Sequence, residues 1–450
     1  MKGIFSIFEK DAKKIQYFMV LFLLIYHFAL FYSLSNEPVK LSDSKEYINA
    51  AQSFNQAHNF YSGNTLDGLD YRMFTKRTPF YPLVLSTLYF FNWHINYIYI
   101  FQIFLGLINI MFGFLLLKKL INFNSISVIL FTVFVVLTPS QFIYSQFIMA
   151  DLWLQTFVML CAISILLFYE NKKAIWLVIL LFFSVLAALT KPVFLLASLV
   201  ISVWCFSQFI KIKCSKSILF FALLPFLSWV TIAEQNKKLT GLFHYSSIGS
   251  INLLHYNTNL FLTKTIGKVE ADKRLEPLMI VPHNKLQFVK NYKAVNKECR
   301  NAILENVIAY TFFHFKGILY FFIDPGRFDI YNFFRLEDSK VNGFLNSKAN
   351  KNQIVYMWQN NPKSTLLLLF LLIVKVIKTI GFIGFLLNFK KSWSLLIVGS
   401  LVFYIAILTG PLGASRFALP VELIIISFAA VYYSNLIVKV KSEKIIQTTN

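Results

Sequence analysis

Acidic side chains are scarce in this chain: 21 aspartates and glutamates stand against 43 lysines and arginines in 450 residues. Outside the long polar segments and the chain ends, only Asp151, Glu170 and Glu422 remain. Glu170 lies beside Lys172 and Lys173 and needs no special role. Asp151 lies about one turn inside the end of one apolar run and Glu422 near the end of another, where a carboxylate normally has a partner or a task. Asp43 is the best single candidate for chemistry, because Asp43, Tyr47 and Ala50 follow helical spacing. One face then presents a carboxylate, a phenol and small residues. Asp43 with Glu46 three residues later also reads as a capping box, which needs no chemistry. Downstream, Lys76-Arg77-Thr78-Pro79-Phe80-Tyr81-Pro82 places two cations before a proline-punctuated apolar piece. That suits a phosphate held in bidentate fashion, or an ordinary cation snorkelling to lipid headgroups. Lys191 (in Thr190-Lys191-Pro192) and Arg416 carry the same two readings. The seven histidines form no spaced ligand pair and the four cysteines show no metal spacing. No cofactor is assigned, and a divalent metal stays open.

The elements that must position these residues are written in the composition. Hydrophobic residues make up 57% of the chain, charged residues 14%, and the mean hydropathy is +0.61. Soluble globular chains carry about 25% charged residues. The apolar excess falls in runs near the roughly 20 residues that cross a bilayer. About ten spans are expected, near 17–34, 96–117, 125–138, 148–169, 174–190, 193–210, 217–233, 364–387, 393–409 and 417–437. The third is short, and extends through Gln141 or enters tilted. The first is too long for a signal-peptide core and is read as a retained span.

The net charge of +22 raises the question of nucleic acid. The lysines, however, cluster at the ends of apolar runs, as membrane topology requires, and no nucleic-acid partner is expected. One set of connections holds Lys118 and Lys119, Lys172 and Lys173, Lys211, Lys213 and Lys216, and Lys390 and Lys391. Both termini join it through Lys10, Lys13 and Lys14 and through Lys439, Lys441 and Lys444. The opposite short connections hold only Lys191 and Arg416. Both termini are therefore expected in the cytoplasm. Residues 35–95 and 234–363 then lie on the outer side, with Asp151, Lys191, Arg416 and Glu422 at that face. The organisation expected is an N-terminal membrane module (1–233) with its first outer loop (35–95), an outer cap (234–363) and C-terminal membrane helices (364–450). A helix is expected around Asp43–Ala57, an interfacial helix at Leu83–Phe91, and a mostly helical fold for the cap.

With these residues in place, the chain resembles the GT-C class of polytopic glycosyltransferases. The likeness is to bacterial relatives of protein O-mannosyltransferases and lipid A aminoarabinose transferases. Its carriers are Asp43-x-x-x-Tyr47-x-x-Ala50, then Arg77-x-Pro79-x-Tyr81-Pro82, then Pro139 followed by Asp151. Lys191-Pro192 and Arg416-Phe417 before Pro420 complete the set. The resemblance covers the first span to about Val200, and again Gly410–Pro420. It implies an all-α membrane fold and a sugar donor linked to polyprenyl phosphate. It also implies an active site at the outer face of the inner (plasma) membrane. Asp43 would be the general base of an inverting transfer, and Asp151 would orient the base or the acceptor. Arg77, with Lys76, Lys191 and Arg416, would meet lipid phosphate; Tyr47, Tyr81 and Glu422 would line the substrate site. The acceptor would be a glycan, a lipid or a protein. The first loop has a lone Asp where many members pair Asp with Glu, and the middle of the cap matches no known pattern.

Two other classes make different demands on the sequence. A secondary transporter or lipid-linked-sugar flippase predicts inverted repeats and broken helices at mid-membrane, neither of which is visible. An envelope oligosaccharide polymerase or ligase would favour arginines over an acidic first loop.

Overall fold

The computed structural model describes residues 2–34, 41–64, 66, 68–91, 95–120, 123–334, 358–359, 361–389 and 392–449. The described residues contain helices and no strands. The helices used below are α1 (Lys2–Leu34), α2 (Ser42–Ala57), α3 (Phe80–Phe90), α4 (Ile95–Lys119), α5 (Ser125–Val136), α6 (Pro139–Ile143), α7 (Asp151–Asn171) and α8 (Ala174–Thr190). They continue with α9 (Leu195–Lys211), α10 (Leu224–Thr240), α11 (Lys285–Glu305), α12 (Val307–Ile323) and α13 (Arg327–Phe333). The last three are α14 (Pro362–Asn388), α15 (Trp393–Thr409) and α16 (Ser415–Thr449).

Among the described residues six helices are long and apolar enough to cross a membrane, and two bent pairs raise that number to eight if each pair is one span. This is the architecture of a polytopic membrane protein. Each of the ten expected spans falls on a helix. α9 and α10 are lengthened by preceding helical turns to 20 and 25 residues, but α8 and α15 stay at 17 residues, or about 25 Å at 1.5 Å per residue. That is shorter than a hydrocarbon core of about 30 Å. The third expected span breaks: α5 and the helical stretch Pro139–Gln146 meet at 70°. Pro139 lacks an N–H for the ladder, so the helix that reaches Val136 cannot continue through it.

The core is organised around α16. Every residue from Ala418 to Val431 is buried, and α16 packs against α4, α5, α7, α14 and α15. The stretch also holds Glu422 and Ser427, and polar side chains of this kind need protein partners, which a central helix supplies. α7 and α8 form the tightest helical pair after a two-lysine turn, in which Lys172 adopts φ 53°. Because they run antiparallel, the first residue of α7 (Asp151) and the residue after α8 (Lys191) lie at the same end. Extended backbone at Lys191 (φ −146°) and Pro192 then stop α8.

α2 and α3 pack on each other, and α3 rests on α8, so both lie across the end of the bundle that carries Asp151 and Lys191. The hydroxyl of Thr78 donates to the Thr190 carbonyl at 2.8 Å, which ties the connecting segment to α8. With 11 residues, α3 is too short to span, as expected for an interfacial helix.

The described part of 234–363, up to Phe334, is helical as expected, with one difference. α12 is apolar and packs on α14, α15 and α16 rather than standing in a polar cap. It meets α11 at 99°. At its crossing with the end of α15 there is no room for a side chain, since a Cβ on Gly317 would strike the Gly410 backbone. Residues 335–357 and 360 of the expected cap, like Lys390 and Lys391, lie outside the described residues.

Candidate functional site

Five chain segments bring their charges together at one end of the bundle. α2 contributes Asp43, Glu46 and Tyr47; the segment before α3 contributes Lys76 and Arg77. The facing ends of α7 and α8 contribute Asp151 and Lys191, and the start of α16 contributes Arg416. Arg77 Nη2 lies 2.6 Å from Asp43 Oδ1 and 2.7 Å from Glu46 Oε2. Lys76 Nζ takes the other Glu46 oxygen at 2.8 Å. The second Asp43 oxygen lies 2.7 Å from Arg416 Nη2. That nitrogen is also 3.5 Å from Asp151 Oδ2, and Asp151 Oδ1 accepts from Lys191 Nζ at 2.6 Å. Asp43 is thus clasped between two arginines that share no local sequence with it.

Three carboxylates meet four cations in this network, a formal surplus of one positive charge. The partners differ in access: the Asp151 side chain is 1% exposed and that of Asp43 is 24% exposed. Two buried polar atoms, Asp151 Oδ2 and Arg416 Nε, have no hydrogen-bond partner among the described residues. Each therefore retains bonding capacity facing the network, and buried capacity of this kind is costly to leave unused.

The carboxyl of Asp43 feels two opposed effects. Burial pushes its pKa up, but the attraction of Arg416 and then Arg77 outweighs burial and holds it below the usual carboxylate range. Tyr47 supplies a wall: the Arg77 guanidinium sits 4.7 Å over its ring, and the ring packs edge-on against Tyr81 at 5.0 Å. Burial pushes the Tyr47 phenol up to about 12, so it stays neutral. Tyr81 donates to Gln102 Oε1 at 2.5 Å, and Gln102 in turn donates to the Phe147 carbonyl at 2.7 Å. Tyr81 therefore braces the wall from behind.

Two expectations change. The N-cap of α2 is Leu41, with no side-chain cap hydrogen bond. The capping box expected at Asp43 and Glu46 does not form, because Arg77 binds both carboxylates instead. Glu422 does not join Asp151, Lys191 and Arg416. Lying six residues further along α16, it accepts from Lys375 and Lys378 at 2.5 Å each, and Lys378 also donates to Thr138 Oγ1 at 2.7 Å. All three charges are buried and satisfy one another, which is the arrangement of an internal tie between α14 and α16.

Sequence reasoning missed the support behind Arg416. The backbone N–H of its neighbour Ser415 donates to Asp324 Oδ2 at 2.6 Å, and the Ser415 hydroxyl donates to Asp329. Asp329 also accepts from the Tyr144 hydroxyl at 2.5 Å. Two acids thus hold the first turn of α16, where negative charge is favoured by the helix dipole. Burial pushes both up, Asp329 to about 6. The local signal was present in Asp324-Pro325-Gly326, an acid before a turn, but nothing in sequence tied it to Ser415. Among the described residues no group of three His, Cys, Asp or Glu side chains is placed to hold a metal ion.

Fold and site together define a polytopic, all-helical membrane protein with a net-positive ion network built across one end of its bundle. No family model and no curated protein matches the chain. Its fold is similar to that of the archaeal oligosaccharyltransferase AglB from Archaeoglobus fulgidus, solved in complex with an inhibitory peptide and a dolichol-phosphate. The TM-score is 0.51 at 12% identity, and the match covers 98% of this chain and 52% of AglB. The chain thus spans about half the length of that protein. At this identity the likeness is one of fold.

Proposed function

We propose that this protein is a membrane glycosyltransferase of the GT-C type. It would move a sugar from a polyprenyl-phosphate-linked donor to an acceptor hydroxyl, with inversion, at the non-cytoplasmic face. Ten spans with both termini in the cytoplasm would put the network on that face. The observation that carries the reading is the clasp of Asp43 between Arg77 and Arg416, because it joins a potential base to two potential phosphate ligands. The fold likeness to an oligosaccharyltransferase supports the same class.

The chemistry follows from competition for the arginines. A donor phosphate binding to Arg77 and Arg416, with Lys191 nearby, draws their hydrogen bonds away from Asp43. Its carboxyl then rises toward its ordinary range and becomes a better base. It accepts the proton of the acceptor hydroxyl as that oxygen bonds the anomeric carbon. The bond from that carbon to the phosphate oxygen breaks with its electron pair, and polyprenyl phosphate leaves against the cations that stabilise it. Asp151, fixed by Lys191, keeps Arg416 aimed at the centre. Donor binding and base activation become one event.

The test is transfer in proteoliposomes supplied with a panel of labelled polyprenyl-phosphate sugars and extracted envelope acceptors. Consumption of one donor, with release of polyprenyl phosphate, is expected from the wild type and not from Asp43→Asn. A panel in which no donor is consumed, or binds more tightly than polyprenol lacking phosphate, overturns the reading.

A further inference from the structure

A second cationic feature lies well apart in sequence from the ion network, on α11. Its buried face carries Phe288, Val295, Cys299 and Ala302. Lys290, Lys293, Lys297 and Arg300 recur at intervals of three and four residues on the opposite face, and all four are exposed. The acids of the same helix are spoken for. Arg274 holds Glu298 at 2.8 Å and Glu305 at 2.8 Å. None of the four cations has an acidic partner among the described residues. Lys297 and Arg300, with Asn296, Leu253 and Leu304, line an open groove.

What distinguishes this stripe from a solvated charged face is its continuation. At Asn306 the chain turns through 99° into α12. There Ile308, Phe312, Phe315 and Leu319 are exposed, Ile308 and Phe312 at 72% each. Their spacing of three and four residues puts them on one side of the helix. α12 packs its other side on α14, α15 and α16, helices that carry or adjoin the apolar spans. A row of free cations therefore sits at the polar end of an exposed apolar and aromatic strip. A water-soluble polyanion would use the cations but leave the strip uncovered. A phospholipid uses both, with its phosphate at the cations and its chains along the strip.

We infer that the elbow between α11 and α12 is a binding site for an anionic phospholipid, with the headgroup phosphate at Lys297 and Arg300 and Lys290 and Lys293 adding attraction. The site requires no catalytic residue and stands whether or not the transferase reading does.

The test uses the full-length protein in neutral detergent, titrated with phosphatidylglycerol or phosphatidylcholine and read by native mass spectrometry. A Lys290→Gln, Lys293→Gln, Lys297→Gln, Arg300→Gln variant is compared with a charge-matched control, Lys237→Gln, Lys238→Gln, Lys268→Gln, Lys273→Gln. A cation near a lipid surface contributes roughly fivefold in binding. The wild type and the control should therefore retain phosphatidylglycerol at least about tenfold better than phosphatidylcholine, and the groove variant should lose that preference. If the four substitutions impair folding, Lys297→Gln with Arg300→Gln alone serves the same comparison. Equal phosphatidylglycerol retention by groove variant and wild type overturns the inference. So does soluble glycerol phosphate binding as tightly as the lipid, or dextran sulfate binding to a protein that shows no lipid preference.

Discussion

Asp43 and Arg416 stand near opposite ends of the chain, and their side chains meet at 2.7 Å. Neither residue can be positioned by its own neighbours alone. Asp43 is carried on a helix laid across the bundle end, and Arg416 begins the helix at the centre of that bundle. Their contact makes the carboxylate dependent on what else the arginine binds.

The first prediction concerns Asp43→Asn. Asparagine keeps one acceptor oxygen for an arginine but cannot take a proton. Loss of a general base typically lowers rate by about 10²–10⁴, and turnover should fall in that range. Donor binding should hold or tighten, because Arg77 and Arg416 lose their strongest competitor. Measuring turnover and donor affinity on the same preparation checks both. Near wild-type turnover would leave Asp43 a structural partner, and Asp151 would become the leading candidate for the base.

Arg416→Ala should do the opposite to binding. On the proposed reading it removes a phosphate ligand, and it leaves Asp43 and Asp151 facing each other with less positive charge. Donor affinity should drop about 10–100-fold, the loss of one charge-assisted contact of about 1.5–3 kcal/mol. Arg416→Lys should recover part of this, since it retains charge but not the planar fork. Equilibrium binding of a labelled donor to the three proteins decides it. An unchanged affinity in Arg416→Ala removes that residue from the donor site.

Much of the site was legible because membrane sequences make acids conspicuous. Asp151, Lys191 and Arg416 stood out at the ends of apolar runs, and antiparallel packing of spans of similar length brings such ends together. Asp43 and Arg77 were visible as isolated chemistry in a polar connection, but their direct pairing was not. A capping box and a clasped carboxylate share the same local spacing, and only the partner from a distant segment separates them. Lys375 and Lys378 were hidden for a different reason. Two cations do not prevent a run from reading as apolar, and Glu422 was assigned to the end of α16 by its distance from Arg416. Six residues are about 9 Å along the helix axis, enough to move a carboxylate from the surface network to an interior one. The break at Pro139 and the packing of α12 into the bundle likewise depend on tertiary contacts rather than on periodicity.

The interior triad gives a third prediction. Removing one member leaves an uncompensated buried charge, which typically costs about 3–5 kcal/mol. Glu422→Gln, which strands Lys375 and Lys378, should lower the thermal midpoint sharply. Replacing all three by Met, Met and Leu should recover most of the loss. Turnover per folded molecule should be close to wild type in the triple variant, because no triad member touches Asp43, Asp151 or Arg416. Loss of donor binding in a stable triple variant would return Glu422 to the substrate site.

Lys191 and Asp151 allow a fourth test by double-mutant cycle. Lys191→Met should destabilise because Asp151 is almost fully buried, and Asp151→Asn should destabilise less. The double variant should be more stable than Lys191→Met alone, a coupling of about 0.5–3 kcal/mol. Stability will be restored without activity if the pair exists to aim Arg416. Strictly additive losses would mean that the 2.6 Å pair contributes nothing beyond its separate side chains.

The last prediction concerns Asp329, which supports Ser415 from behind. Burial raises its carboxyl from an ordinary 3.8 to about 6, against the lowering effect of hydrogen bonds from Ser415 and Tyr144. Between those two values the folded protein holds a proton that the unfolded chain has already released. The contribution of Asp329 to stability therefore falls as pH rises from about 4 to about 6 and levels off above that window. Asp324, also raised by burial, adds to the same slope, so the comparison has to be made against a variant rather than against zero. Asp329→Asn removes one titration, and its thermal midpoint should change less than that of the wild type between pH 4.5 and 6.5. Asparagine offers one carbonyl oxygen where two donors, Tyr144 and Ser415, now each have their own. Some stability is therefore lost at all pH values, which shifts the curve without restoring its slope. Asp43 has the opposite sign: its lowered carboxyl adds stability that is lost only as pH falls below its ordinary range. His244 and His255, whose protonated forms burial disfavours, also titrate below 6.5 and with the opposite sign to Asp329, so the difference between wild type and Asp329→Asn is what reads Asp329. Parallel curves for wild type and Asp329→Asn would show that Asp329 stays ionised in the fold, and that the turn holding Arg416 is an ordinary charged cap.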